Sequence, residues 1–214
     1  MRTAAAPEVW GVGTVGVRAW PVSPADIADE TDSAVEHLRI LGLDAGGLVL
    51  IVSRLAESIH VAPLELASGR LSARWSSADA NAGDAFRTAS LVAQLAPDAV
   101  IGINAAVIDA LDDPARVFAP VPVVAVTDAV AHDAIDGARW WVRLGPTNAF
   151  ECAARAGAHV DPTRWSVASR DGELVVSNVV SRLTPCVELP TGIEGSVRSD
   201  PCTCGRTWPR VVLT

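Results

Sequence analysis

ECAARAGAHV (Glu151–Val160) and DPCTCGRTWPR (Asp200–Arg210) bracket GELVVSNVVSRLTPCVELPTGIEG (Gly172–Gly195), and the reading of these three pieces decides the fold. The first carries Cys152 and His159; the last carries Cys202 and Cys204. Three thiols and one imidazole make a complete tetrahedral set for zinc, which takes thiolate sulfur and neutral ring nitrogen at about 2.0–2.3 Å. Gly157 helps the first half-site fold back, and Gly205 frees the backbone beside the tight Cys–Thr–Cys pair. Four soft ligands with no open position describe a structural zinc rather than a catalytic one. The same residues would also suit an ordinary core, where free cysteine packs well. Metal is the preferred reading because the two pairs flank short strands and turns, such as RWSVAS and RDGE. Residues 145–214 thus read as a small β-rich, zinc-stapled appendage, of a size that needs such a staple.

Upstream, strands and helices alternate. GVGTVGVRAW is a glycine-rich turn entering a short extended piece. SPADIADETDSAVEHLRILGL is a helix, with Ser23 as cap, Pro24 at the first position, Asp26 and Asp29 near the positive end of the dipole, and Ala34, Leu38 and Leu41 on the apolar face. LVLIVS (Leu48–Ser53), AVIGI, VPVVAVT and RWWVRLG read as strands, the first being apolar throughout, as a strand covered on both faces must be. Between them ESIHVAPLELASG is a helix that Pro63 disturbs or divides. RLSARW is a short strand, and NAGDAFRTASLVAQL, NAAVIDAL and DAVAHDAI are helices. Residues 1–144 are therefore an α/β core, a mostly parallel sheet with helices on its faces.

Composition narrows the partners. The net charge of −8 disfavours a nucleic-acid backbone. Half of the 214 residues are apolar, so an apolar surface that meets a second copy or another protein is expected. No lysine and no tyrosine occur, which excludes any mechanism that needs a lysine of this sequence. MRTAAAPEVW lacks the apolar core of a signal peptide, and charges interrupt every apolar run before it could span a bilayer. The expected setting is a reducing cytoplasm, where clustered Cys and His favour metal over disulfides. Cys186 reads as a buried free thiol. His60 could line a cleft beyond the first strand of the core, where open α/β sheets bind ligands, although packing is the commoner role for such a residue. His37 and His132 read as helix surface. Of Trp140 and Trp141, one ring faces the core.

The three opening pieces resemble the end of the large domain of phenylacetate–CoA ligase-like, adenylate-forming enzymes. These typically read ECEERNGLHV, then GELVLTNLTRRATPLIRYRTGDLG, then CPCGRTHPRI. More weakly, GTVGVRAWPVSPADI…LRILGLDAGGLVLI is similar to their phosphate loop and following strand. The resemblance implies zinc at Cys152, His159, Cys202 and Cys204, as in some members of that family. It also exposes departures. VGTVG (Val12–Gly16) keeps Thr14 but has valine at two hydroxyl positions of the phosphate loop. LGPTN (Leu144–Asn148) has leucine for the adenine-facing aromatic and Asn148 for the Mg²⁺-binding glutamate. ELPTGI (Glu188–Ile193) has Ile193 for the ribose-binding aspartate and Glu188 for the usual arginine. The family's N-terminal portion and its mobile, lysine-bearing C-terminal domain have no counterpart in this sequence.

The first expectation is thus a truncated relative, a pseudoenzyme without adenylation chemistry. It would bind an acyl or aromatic small molecule through Thr14, His60 and Asn148, or a protein partner or second copy, in a biosynthetic setting. An ATP-independent cyclase or acyl-transfer enzyme in the old acyl cleft, with His60 and Glu151 as catalytic candidates, is the alternative. A subunit of a split ligase, whose partner brings the lysine, is the third reading.

Overall fold

The structure, a computed structural model, describes residues 8–15 and 18–214. The first seven residues, and Gly16 of the VGTVG loop, lie outside the described residues. The chain enters as an antiparallel hairpin, β1 (Gly11–Val15) and β2 (Arg18–Val22), rather than a turn and a single extended piece. Gly13 is needed there, since a Cβ would lie 2.4 Å from the Ile59 side chain.

Helix α1 (Pro24–Ile40) starts where its cap signals place it. The Ser23 side chain accepts from Asp26 N–H at 3.1 Å, and the Asp26 carboxylate accepts from Ser23 N–H at 2.8 Å. This reciprocal box satisfies two of the backbone donors that a helix start leaves open. Strand β3 (Leu48–Ser53), helix α2 (Ser58–Arg70), strand β4 (Arg74–Asp79), helix α3 (Ala85–Leu95), strand β5 (Ala99–Ile103), two short helices α4 (Ala105–Asp109) and α5 (Pro114–Phe118), strand β6 (Val123–Val126), helix α6 (Ala129–Ala134) and strand β7 (Arg139–Leu144) follow. The spatial order β4-β3-β5-β6-β7 is parallel throughout. Side chains alternate across it. Val49 and Ile51 meet Leu38 and Leu64 of α1 and α2 on one face. Leu50 and Val52 meet Val92, Val107 and Phe118 on the other. Gly102 takes φ +103, and a Cβ there would lie 2.0 Å from the Val52 carbonyl oxygen, so only glycine fits between the strands.

Two expectations need correction. α2 runs unbroken through Pro63, so the proline removes one backbone donor without dividing the helix. The strand expected over Arg70–Trp75 begins only at Arg74. Leu71 N–H still bonds to Ala67 O, and Ala73 N–H bonds to Ser68 O across Ser72 at φ +55, so this segment closes the helix.

At β7 the sheet changes character. A two-residue turn, Gly145–Pro146 with glycine at φ +59, reverses the chain into β8 (Thr147–Glu151), antiparallel to β7. β9 (Ala158–His159), β10 (Trp165–Arg170), β11 (Glu173–Asn178), β12 (Leu189–Arg198) and β13 (Arg210–Leu213) extend one 11-stranded sheet in the order β10-β11-β12-β13-β9-β8-β7. These antiparallel strands enclose a third core around Trp165, Leu174, Val176 and Val211, on which Trp20 of the hairpin packs. None of the described helices is long and apolar enough to cross a membrane.

Candidate functional site

Topology assembles the Cys/His cluster. Cys152 leaves the end of β8, His159 ends β9, and Cys202 and Cys204 sit in the loop joining β12 to β13. Because β13 pairs with β9, Arg210 opposite His159, that loop is brought over the β8–β9 connection. Gly205 N–H bonds to Cys202 O at 2.9 Å, and Cys202 N–H bonds to Arg206 O at 2.9 Å, so the Cys–Thr–Cys turn is tied at both ends. The β8–β9 connection depends on Gly157, at φ +106, where a Cβ would lie 2.8 Å from the Val211 carbonyl oxygen.

The four ligand atoms lie within 4.8 Å of one another. Cys152 Sγ is 3.7 Å from Cys202 Sγ, and Cys204 Sγ is 3.5 Å from His159 Nε2. A tetrahedron of bonds about 2.3 Å long to sulfur and 2.0 Å to nitrogen has edges of about 3.5–3.8 Å. Two of its edges match that tetrahedron, and the cluster could hold a metal ion. Cys152, Cys202 and His159 are buried and Cys204 is exposed, with Ile40 and Trp208 packed around them.

Burial pushes the Cys152 thiol up to about 12, and the neighbouring Cys202 and Cys204 side chains push the same way. Burial also raises Cys202, but the Cys204 backbone N–H, both neighbouring thiols and Arg210 more than offset it. Burial, then Arg210 and Arg206, hold His159 down at about 4, in the neutral state a metal requires. A divalent cation among these groups would release the thiol protons and offset the burial that keeps Cys152 protonated.

The surroundings include residues the sequence does not advertise. His37 is not on the surface, as its helical position suggests, but fully buried, because α1 lays that turn against β9. Its Nε2 donates to the His159 carbonyl at 3.1 Å, and its ring lies tilted against Phe150 and edge-on to Trp208. Burial is the main reason that its pKa falls to about 4. Glu30 of α1 is also buried. It accepts from Trp165 Nε1 at 2.7 Å, Thr147 Oγ1 at 2.9 Å and Arg182 Nη2 at 2.6 Å. No local sequence signal could reveal either, since each partner lies more than a hundred residues away.

A second feature lies at the carboxyl ends of β3 and β7, where a cleft of about 290 Å³ is lined by Thr14, Arg54, Glu57, His60, Arg143 and Thr191, among others. Thr14 and His60 meet there, and Asn148 stands behind His60 with its Oδ1 3.2 Å from Nδ1. Trp141 Nε1 donates to the same oxygen at 2.9 Å, and Asn148 Nδ2 donates to the His60 carbonyl at 3.0 Å. Leu144 is fully buried in the third core, and Ile193 packs against it. Glu188 turns away to Arg170. Glu151 is not at this cleft. It accepts from Trp140 N–H and Gly157 N–H, each at 3.2 Å, and so braces the β8–β9 connection.

His132 is half-buried, stacked on Trp140 at 4.6 Å, whereas Trp141 is the core-facing ring of the pair. Cys186 is buried, and burial pushes its thiol up, so it has little thiolate character.

No protein-family model matches the sequence, and no curated protein matches it significantly. Solved structures do. An open conformation of 2-hydroxyisobutyryl-CoA ligase, bound to 2-HIB-AMP and CoA, superposes with a TM-score of 0.76 at 16% identity, over 95% of this chain and 52% of the ligase. The N-terminal subdomain of Klebsiella oxytoca NpsA, bound to 3-hydroxyanthranilyl-AMSN, gives 0.61 at 10% identity, over 94% of this chain and 61% of its own. The anthranilate CoA ligase AuaEII, with anthranoyl-AMP, gives 0.58 at 11% identity, over 95% and 46%. The chain spans about half the length of the 2-hydroxyisobutyryl-CoA ligase. It carries the fold of that portion of the adenylate-forming acyl-CoA and aryl ligases.

Proposed function

We propose that this chain is a binding module on an adenylate-forming ligase scaffold that no longer adenylates. Residues 1–144 would provide most of the cleft, with Gly145 and Thr191 completing it, and residues 145–214 the metal-held part. One observation carries the reading: the Asn148 carboxamide is consumed by Trp141 and His60, leaving it no ligand atom for a nucleotide-bound Mg²⁺. Ile193, at the ribose position implied by the resemblance, cannot accept a hydrogen bond, and Leu144 offers no aromatic wall. The metal is zinc in a structural role, on the chemistry of three thiolates and one imidazole. A reducing compartment such as the cytoplasm keeps those thiols available. The cleft takes a small acyl or aromatic molecule, and the exposed Val9, Trp10, Val12 and Leu55 are covered by a second copy or a protein partner.

Calorimetry with ATP·Mg²⁺ should show no binding; a millimolar or tighter affinity would contradict the reading. The alternative, an ATP-independent enzyme in the same cleft, is favoured by one feature, a His60 ring nitrogen without a partner among the described residues. Turnover that disappeared in His60→Ala would establish it. A split ligase would need a partner to replace groups inside the cleft, and pyrophosphate release on mixing with a partner and a carboxylic acid would revive it.

A further inference from the structure

β4 is one edge of the 11-stranded sheet. It pairs with β3 in unbroken register, Arg74–Asp79 against Leu48–Ser53, and has no partner strand on its other side among the described residues. Proline, lysine and bulges, with which proteins blunt an open edge, are all missing from it. Arg74 N–H bonds to Gly47 O and Ala80 N–H to Ser53 O, so the even-numbered residues of β4 turn their backbone groups to β3. The odd-numbered ones turn outward. Ala73 N–H is taken by Ser68 O at 2.9 Å, Asp79 N–H by the Asp84 carboxylate at 2.8 Å, and Asp79 O by Asn81 N–H at 2.9 Å. Trp75 and Ser77 are left, each with its N–H and C=O unpaired among the described residues.

We infer that β4 is a dimer edge: a second copy of this chain adds its own β4 antiparallel, with Ser76 on the two-fold axis. That register pairs Trp75 with Ser77 of the second copy and Ser77 with its Trp75, and so uses all four free groups. A slip of one residue sets outward groups against groups turned to β3. A slip of two sets Trp75 against Asp79 or Ser77 against Ala73, whose N–H groups are already bonded. The side chains fit the same register. Trp75, large and exposed, falls opposite Ser77, and Arg74 falls opposite Ala78, so a large group meets a small one at each place and no like charges face each other. The antiparallel sense also sets the Arg74 end of each copy beside the Asp79 end of the other. The contact does not depend on the reading of the cleft, and it names this strand rather than the hairpin as the surface that a second copy covers.

Sedimentation velocity on the full chain, across about a hundredfold range of concentration, should show a monomer–dimer equilibrium. Ser77→Pro should abolish the dimer, since it removes an outward N–H that the chain's own sheet does not use. Ser76→Glu and Ser76→Lys, each checked for native circular dichroism, should both be monomeric, because the axis sets two like charges directly opposite. An equal mixture of the two should dimerise again. Amide exchange of the wild type, which needs no variant, should show Trp75 and Ser77 protected at high concentration and exchanging on dilution. A wild type that stays monomeric throughout would overturn the inference and leave the edge to a different polypeptide. A dimer that survives in Ser77→Pro, a mixture no more dimeric than its components, or a dimer whose Trp75 and Ser77 amides exchange freely would overturn it in favour of a contact elsewhere, such as the exposed hairpin. None of these outcomes bears on ATP·Mg²⁺ binding, which tests the proposed function separately.

Discussion

Cys204 is the exposed member of the Cys/His cluster, and it meets His159 at 3.5 Å. Cys204→Ser should therefore weaken the ion without disturbing the core. If the wild type is saturated about a thousandfold above its dissociation constant, losing that linkage costs about 4 kcal/mol. Thermal melts with and without a chelator should differ in the wild type and coincide in the variant. His60 gives a second prediction at this scale. Its folded pKa of about 4 lies below the ordinary 6.5, so its contribution to stability is present above 6.5 and is lost as pH falls towards 4. Urea unfolding between these values should lose stability on acidification, with a shallower slope in His60→Gln. An unchanged slope would mean that the ring is not buried in its neutral state.

Among elements, α1 fastens the two halves of the sheet together. Its buried Glu30 receives Arg182 from beyond β11, while the next turns carry His37 to β9 and Glu36 to Arg206. Burial raises the Glu30 pKa, and Arg182, with the hydrogen bonds from Trp165 and Thr147, opposes the rise. Arg182→Ala leaves that carboxylate buried and unpaired, and should cost about 3–5 kcal/mol in chemical denaturation; a loss below about 1 kcal/mol would mean that the pair is screened. The β8–β9 connection is the other sensitive element. Gly157→Ala must shift β13, because the new methyl would meet the Val211 carbonyl oxygen at 2.8 Å. It should lower metal affinity before it lowers overall stability, as a metal titration of the variant would read out.

For the whole molecule, what was legible in the sequence follows from range. β3, β5 and β6 read correctly as continuous apolar runs because both faces of each are covered, and α1 because its cap is complete within four residues. The four members of the Cys/His cluster were legible from chemistry and spacing, and the pairing of β13 with β9 brings them together. The end of α2 was misread because Ser72 closes the helix in a left-handed conformation normally reserved for glycine, so no local stop signal marks it. His37, Glu30 and the His60–Asn148 pair were hidden as partners because each bond spans 88 or more residues. Glu151, a catalytic candidate for the old acyl cleft, lies away from it and holds two backbone N–H groups.

The central claim about the last third of the chain is a metal that would bind the ends of β8 and β9 to the loop before β13. Native mass spectrometry of the purified chain, paired with elemental analysis, tests that most directly. One zinc per chain, absent from Cys202→Ser, is the predicted result. A mass without metal, or zinc retained in full by Cys202→Ser, would contradict it.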